Sequence, residues 1–559
     1  MRLAAAAAAL LLLALSSLAQ AAGPAPRIGL VLGGGGARDA AHVGVLEELE
    51  RLRVPVHCVA GTSMGALVAG AWVAGRSPAE MRAAMQAADW NEMFMDGAAD
   101  GELDLRARRL RQRFLPGSET GIVDGGAVAP PALVQGQRIK FFLNALVRAE
   151  TGEPQIERLP LPLSIIATDI GTGERVVMRD GPLTEAMRAS MAVPGLLAPF
   201  TWRGRKLVDG GLVDNVPVRE LRERCGADVV IAVNVGSPPL PAESIAGVLS
   251  ITAQMVALLT EQNVGASLAL LTDRDVLIRP DLGDITAADF ARHGEAAERG
   301  RTAVRAHEAA LAALSVDERA WAAWRRGAHV RERDVPRVDA IEVVGLQRVA
   351  PEVLLRHVRQ RTGAPLDAEA LAVDLQRAYG DGHYERLDYT VRRDGARTVL
   401  RLLPVEKTWG PDYLRLGLQL QSTLGQGSTS PLHTALQRTW LNTLGAELLL
   451  GAELGSVTGI KAEFTQPLLA SQRVFVDAVA EYRRERSDYF FLDQRIAEYR
   501  TVEKRLELGL GLNLLRLASC ASPPGPGSPP AGWRRASTCS RPCPGPTPPA
   551  GCWGSSSTG

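Results

Sequence analysis

Gly61-Thr62-Ser63-Met64-Gly65 is the stretch on which the reading of this chain depends. It stands between an apolar run at residues 56–60 and a run of small apolar residues at 66–74, in the order strand, turn, helix. In a G-x-S-x-G of this setting the flanking Gly61 and Gly65 permit a sharp turn that lifts the serine hydroxyl clear of the sheet. The following helix presents its positive end to negative charge developing on Ser63. The plain alternative is a serine that only makes a turn.

Upstream, Ile28-Gly29-Leu30-Val31-Leu32 reads as a short buried strand, followed by Gly33-Gly34-Gly35-Gly36-Ala37-Arg38 and a helical stretch at residues 40–53. Consecutive glycines let backbone N–H groups converge on one point, which suits a phosphate or an oxyanion. A dinucleotide fingerprint competes. The serine turn follows within about thirty residues, the space of one βα unit, and an oxyanion hole beside a nucleophile explains both motifs. Downstream, residues 163–168 and 228–234 read as further strands. Strands alternating with helices predict an α/β domain with a largely parallel sheet and flanking helices over residues 27–320. Asp209-Gly210-Gly211 closes a polar-to-apolar stretch, and by itself is an ordinary turn.

These three motifs in this order resemble the patatin-like phospholipase family. Ala41-His42-Val43-Gly44-Val45-Leu46, Ala192-Val193-Pro194-Gly195 and Asp214-Asn215-Val216-Pro217-Val218 add to the resemblance. It implies a Ser-Asp dyad acting on lipid esters, phospholipids among them, with no cofactor and no metal. Carried over, Ser63 is the nucleophile and Asp209 the base. The oxyanion hole falls to Gly33, Gly34, Gly35, Gly36, Ala37 and Arg38, and the nucleophile elbow is flanked by Gly61 and Gly65. Where the family carries glycine after the loop arginine, this chain has Asp39. A carboxylate there either opposes the oxyanion or caps the helix that follows, and its replacement by glycine is expected to raise activity. A Ser-His-Asp triad is the rival. The histidines after Asp209 are His293, His307, His329, His357, His383 and His433, none in a catalytic-loop setting, and His42 reads as structural.

A chain of 559 residues predicts two or three domains. Net charge +1 and the lack of a basic arm argue against nucleic acid as partner. Residues 1–22 carry a charged start, an apolar core and an A-x-A-like site, and read as a secretory signal peptide; a buried helix is the alternative. Cys58 and Cys225 are the only cysteines before residue 520, and an oxidising compartment leaves a disulfide between them open. The basic cluster Arg106, Arg108, Arg109, Arg111 and Arg113 suits either anionic lipid headgroups or a solvated helix face.

Residues 337–407 read β-α-α-β-β, a small α+β unit resembling a POTRA domain. Residues 409–517 alternate apolar and polar in runs of about ten, as strands of an incomplete antiparallel outer-membrane β-barrel do; a soluble sheet is the alternative. Residues 518–559 are rich in Pro, Gly, Ser and Cys, and are expected to be disordered, with a C-terminus of aberrant composition. The whole resembles a patatin-like autotransporter. That implies export to the outer membrane or cell surface, the membrane and its insertion machinery as partners, and leaves a homodimer open. Two other classes stand beside this reading: a lipid-binding pseudoenzyme, and an outer-membrane translocation or assembly protein.

Overall fold

The computed structural model describes residues 26–522 apart from 99–102, 116–118, 133, 237–238, 240, 329, 331–333, 419–420, 424–426, 430, 456, 492–493 and 515–517. The signal-peptide reading at 1–22 and tail residues 523–559 lie outside the described residues.

The first strands are β1 (Ile28–Leu32) and β2 (Cys58–Thr62), each apolar along its whole length and buried throughout. β3 (Thr120–Val123) and β4 (Gly126–Val128) form a hairpin elsewhere. β5 (Leu163–Asp169), β6 (Arg175–Met178), β7 (Phe200–Trp202), β8 (Arg205–Asp209), β9 (Val229–Val233) and β10 (Val276–Ile278) complete the first sheet with β1 and β2. Its order is β10-β9-β1-β2-β5-β8-β7, with β6 also on β5. The run β10-β9-β1-β2-β5 is parallel, and β6, β7 and β8 pair antiparallel. Strands buried on both faces read as continuous apolar runs rather than alternation. Leu30 and Leu32 enter the larger core on one face, and Val31 enters a second core with Val230 and Ala232 on the other. Cys58 and Cys225 are joined by a disulfide in this second core.

The strand order reverses at β1, with β2 on one side and β9 on the other. In open α/β sheets the crevice beyond the carboxyl ends of the strands at such a point is where ligands bind. The glycine loop after β1 and the serine turn after β2 both sit there.

Residues 340–406 form a three-stranded sheet with parallel and antiparallel pairs, Ala340–Val343, Arg397–Glu406 and Tyr384–Asp394 in that spatial order, and Ala368–Gly380 among its helices. Its junction with the first domain is polar and buried. Lys140, on the helix Gln137–Leu146, donates to Asn144 at 2.6 Å and Thr184 at 2.8 Å and pairs with Asp388 at 2.7 Å. The Gln137 amide both donates to and accepts from the Leu387 backbone.

From Asp412 onward an antiparallel sheet runs through Asp412–Leu418, Leu432–Arg438, Glu447–Leu454, Val457–Pro467, Val474–Phe491 and Gln494–Leu514. Alternation puts Leu414, Leu416, Leu450, Ile460, Leu506, Leu508, Leu510 and Leu512 on an exposed face, and buries Glu447 on the other. Two expectations need correction. Ala518–Ser522, read as the start of a disordered tail, pairs with the preceding strand, because ladder hydrogen bonds require backbone rather than side-chain pattern. Two arginines of the basic cluster, Arg106 and Arg113, have carboxylate partners within the protein, which neither reading included. Their helix, Leu105–Arg113, lies against the polar face of this sheet, where Arg106 pairs with Glu447 and Arg113 with Glu463 at 2.6 Å. Burying Glu447 demands such a partner. The hairpin β3–β4 pairs with the edge of Asp412–Leu418, and no pairing closes this sheet among the described residues.

Candidate active site

Ser63 begins the helix Met64–Val73 and adopts φ 55° and ψ −131°, a region a non-glycine residue occupies at a cost. The elbow is over-determined by its neighbours. A Cβ on Gly65 would lie 2.4 Å from the Leu32 and Gly33 carbonyl oxygens, and one on Gly61 would lie 2.7 Å from the Ala66 backbone, so both positions admit only glycine. Thr62 Oγ1 donates to the Asp214 carbonyl at 2.9 Å. The Ser63 N–H donates to Ser190 Oγ at 2.8 Å, which in turn donates to the Ile166 carbonyl at 2.5 Å.

The strained turn aims the Ser63 hydroxyl at Asp209 Oδ2, to which it donates at 2.6 Å. Asp209 ends β8, and its other oxygen accepts the Gly211 N–H at 2.7 Å. Its own N–H is tied to the Ala192 carbonyl at 2.9 Å. Burial pushes the Asp209 carboxyl up to about 6, opposed by the Ser63 and Gly211 hydrogen bonds and reinforced by the nearby Asp39. With both oxygens so engaged, no described histidine stands between Asp209 and Ser63; His329 lies outside the described residues. His293 lines a neighbouring cavity, with its Nδ1 3.1 Å from the Phe290 carbonyl.

The glycine loop lies beside this pair. A Cβ on Gly34 would stand 2.7 Å from Ser63 Cβ. Asn215 grips the loop with both ends of its amide, accepting the Gly34 N–H at 3.1 Å and donating to the Gly34 carbonyl at 3.0 Å. The Arg38 guanidinium points away from Ser63, donating to the Val235 and Ile285 carbonyls at 2.8 and 2.6 Å, and so pins the loop rather than facing substrate. His42 Nε2 lies 2.7 Å from the Gly33 carbonyl, which can only accept, so this nitrogen carries hydrogen and His42 is a loop anchor.

Read amide by amide, the loop is narrower as an anion donor than its glycines suggest. Gly33 N–H goes to the Val233 carbonyl at 3.0 Å, Gly34 N–H to Asn215, Gly35 N–H to Asp39 Oδ2 at 3.0 Å, and Ala37 N–H to the Ala287 carbonyl at 2.8 Å. Gly36 and Met64 are first residues of their helices, so their N–H groups have no intrahelical acceptor. Both line an apolar cavity whose wall includes Leu67, Val68, Trp90 and Phe142. Ser190 and Asn215 carry functions that no local pattern assigned: Asn215 lay within a quoted motif, but its partner is 181 residues away.

Comparison with known proteins follows the same segment. The family model described as patatin-like phospholipase matches residues 30–222. An uncharacterized NTE family protein of Mycobacterium tuberculosis is 34% identical over 218 residues, 39% of this chain and 51% of its own length. Patatin-like phospholipase domain-containing protein 6 of Homo sapiens is 34% identical over 212 residues, 38% of this chain and 13% of its own. The chain therefore spans about half the length of the mycobacterial relative it matches. The solved structure of VipD from Legionella pneumophila aligns with 51% of this chain and 67% of its own at 15% identity, with a TM-score of 0.29. The glycine loop, the serine turn and the Asp209 turn all lie within residues 30–222, the segment that matches the patatin-like phospholipase family model.

Proposed function

We propose that this chain hydrolyses lipid esters through a Ser63–Asp209 dyad. The observation that carries the reading is the strained Ser63, with its hydroxyl donating to a buried carboxylate at 2.6 Å. Asp209 takes the hydroxyl proton as Ser63 Oγ attacks the ester carbonyl. The tetrahedral oxyanion is held by free backbone N–H groups, for which Gly36 and Met64 are the candidates. Collapse expels the alcohol, which leaves with the proton from Asp209. Water then attacks the acyl-enzyme, gives its proton to Asp209, and the acid departs as Ser63 recovers its hydrogen. A carboxylate near pKa 4 is a weak base. Burial that lifts Asp209 to about 6 makes it a better one.

The C-terminal half supports a second part of the proposal, export to the outer membrane as a patatin-like autotransporter, with residues 337–407 as a POTRA-like unit and 409–517 as barrel strands. Its support is the leucine face of the antiparallel sheet, exposed on one side while ionised groups crowd the other. A competing reading, a lipid-binding protein without turnover, draws on Asp39 and its hold on the Gly35 N–H. Full-length protein, Ser63→Ala and Asp209→Ala assayed on a short-chain ester and on phospholipid vesicles separate these readings. Turnover lost in both variants supports the dyad; a folded protein without turnover overturns it.

A further inference from the structure

Asp39 is fully buried, and its two oxygens are treated unequally. Oδ2 accepts the Gly35 N–H at 3.0 Å. Oδ1 has no hydrogen-bond donor among the described residues; His42 Nε2 stands 3.5 Å away with its hydrogen committed to Gly33. A buried carboxyl with so few partners is expensive to keep, and the one hydrogen bond it makes falls on the amide row that adjoins Ser63. The other charged or titratable groups around it are Arg38, turned to the Val235 and Ile285 carbonyls, His42, Asp209, and His293 on the wall of the same cavity. Of these only His42, on the helix Ala41–Arg51, comes within ion-pairing distance, at 3.5 Å from Oδ1.

Resting on the nucleophile reading above, we propose that Asp39 is a positioning residue that decides which amides receive the oxyanion. By drawing the Gly35 N–H to itself, it withdraws one donor of the glycine loop and leaves Gly36 and Met64, which share the wall of one cavity with Asp39. The carboxyl reaches four residues back to the N-cap of its own short helix, a capping contact formed at the expense of the anion site. The chain is thereby held at a turnover below what its elbow permits.

The test uses the full chain with Asp39→Ala, which removes the acceptor, and Asp39→Asn, which keeps a side-chain carbonyl for the Gly35 N–H. Asp39→Gly is a second removal should the alanine variant not fold. An oxyanion donor regained is worth roughly 100-fold in kcat. Asp39→Ala is therefore expected to raise kcat on a short-chain ester by about 100-fold, with KM within about threefold, and to tighten inhibition by an alkylboronic acid by a similar factor. Asp39→Asn recovers less than about a tenth of that gain, because the Gly35 N–H stays engaged. A folded Asp39→Ala with unchanged or lower kcat and unchanged boronate inhibition overturns the inference, as do equal gains in the Ala and Asn variants. Turnover that Ser63→Ala abolishes but Asp39 substitutions leave alone removes this inference and spares the dyad. No turnover and no boronate binding in any of these proteins removes both.

Discussion

Replacing Asp209 by asparagine should destroy turnover and stabilise the fold at the same time. The side chains are nearly isosteric, so Gly211 keeps its acceptor and Ser63 keeps a hydrogen-bonding neighbour. What disappears is the charge. The Asp209 carboxyl rises from 3.8 to about 6 on folding, because burial disfavours its ionised form. A raised carboxyl binds its proton more tightly in the folded state, so stability from this group is complete below the unfolded pKa and lost as pH rises through about 6. The shift corresponds to about 3 kcal/mol at pH 8 as an upper value, and to roughly half of that at pH 5. Thermal unfolding of parent and Asp209→Asn at both pH values is the assay. The variant should melt roughly 5 °C higher at pH 8, and the gap should shrink by about half at pH 5. A variant no more stable than the parent at pH 8, or a gap that does not change with pH, would refute the view that Asp209 is held ionised at a cost in stability for the sake of function.

The same carboxyl sets the acid limb of activity: kcat/KM should fall below a pH of about 6, since only the ionised form takes the Ser63 proton, and a limb near 4 would count against a buried base. Gly34→Ala puts a Cβ 2.7 Å from Ser63 Cβ and 2.8 Å from Asn215 Oδ1, and should lower kcat by roughly 100-fold, seen in steady-state ester hydrolysis. Lys140→Met strands buried Asp388 without its cation and should cost about 3–5 kcal/mol in thermal or denaturant unfolding. The double variant Lys140→Met, Asp388→Leu should regain most of that.

The serine elbow was legible because a G-x-S-x-G between two apolar runs has few other uses, and the α/β frame because fully buried strands spell themselves as Ile-Gly-Leu-Val-Leu and Val-Val-Ile-Ala-Val. Asp209 was legible only through its place in a series of motifs; Asp-Gly-Gly on its own is a turn. Ser190 and Asn215 were not legible as site residues, since each acts on a partner 127 or 181 residues distant and no local period encodes such a meeting. The glycine loop showed the opposite difficulty. Its composition advertises many free amides, yet most are consumed by the loop's own supports, and only the folded geometry separates a donor in use from a donor on offer. The strand Leu432–Arg438 turns His433, Ala435 and Gln437 inward, a largely polar interior unlike the apolar runs of the first sheet. The arginines of Leu105–Arg113 marked a charged helix truthfully, but charge alone names no partner, and Arg106 and Arg113 find theirs in carboxylates more than 340 residues along the chain.

The central claim is that Ser63 is the nucleophile, and covalent capture tests it most directly. Full-length protein treated with a long-chain alkyl fluorophosphonate, digested and mapped by mass spectrometry, should carry one adduct, on Ser63, formed more slowly in Asp209→Asn and absent in Ser63→Ala. An adduct on another residue, or none on the folded parent protein, would contradict the account.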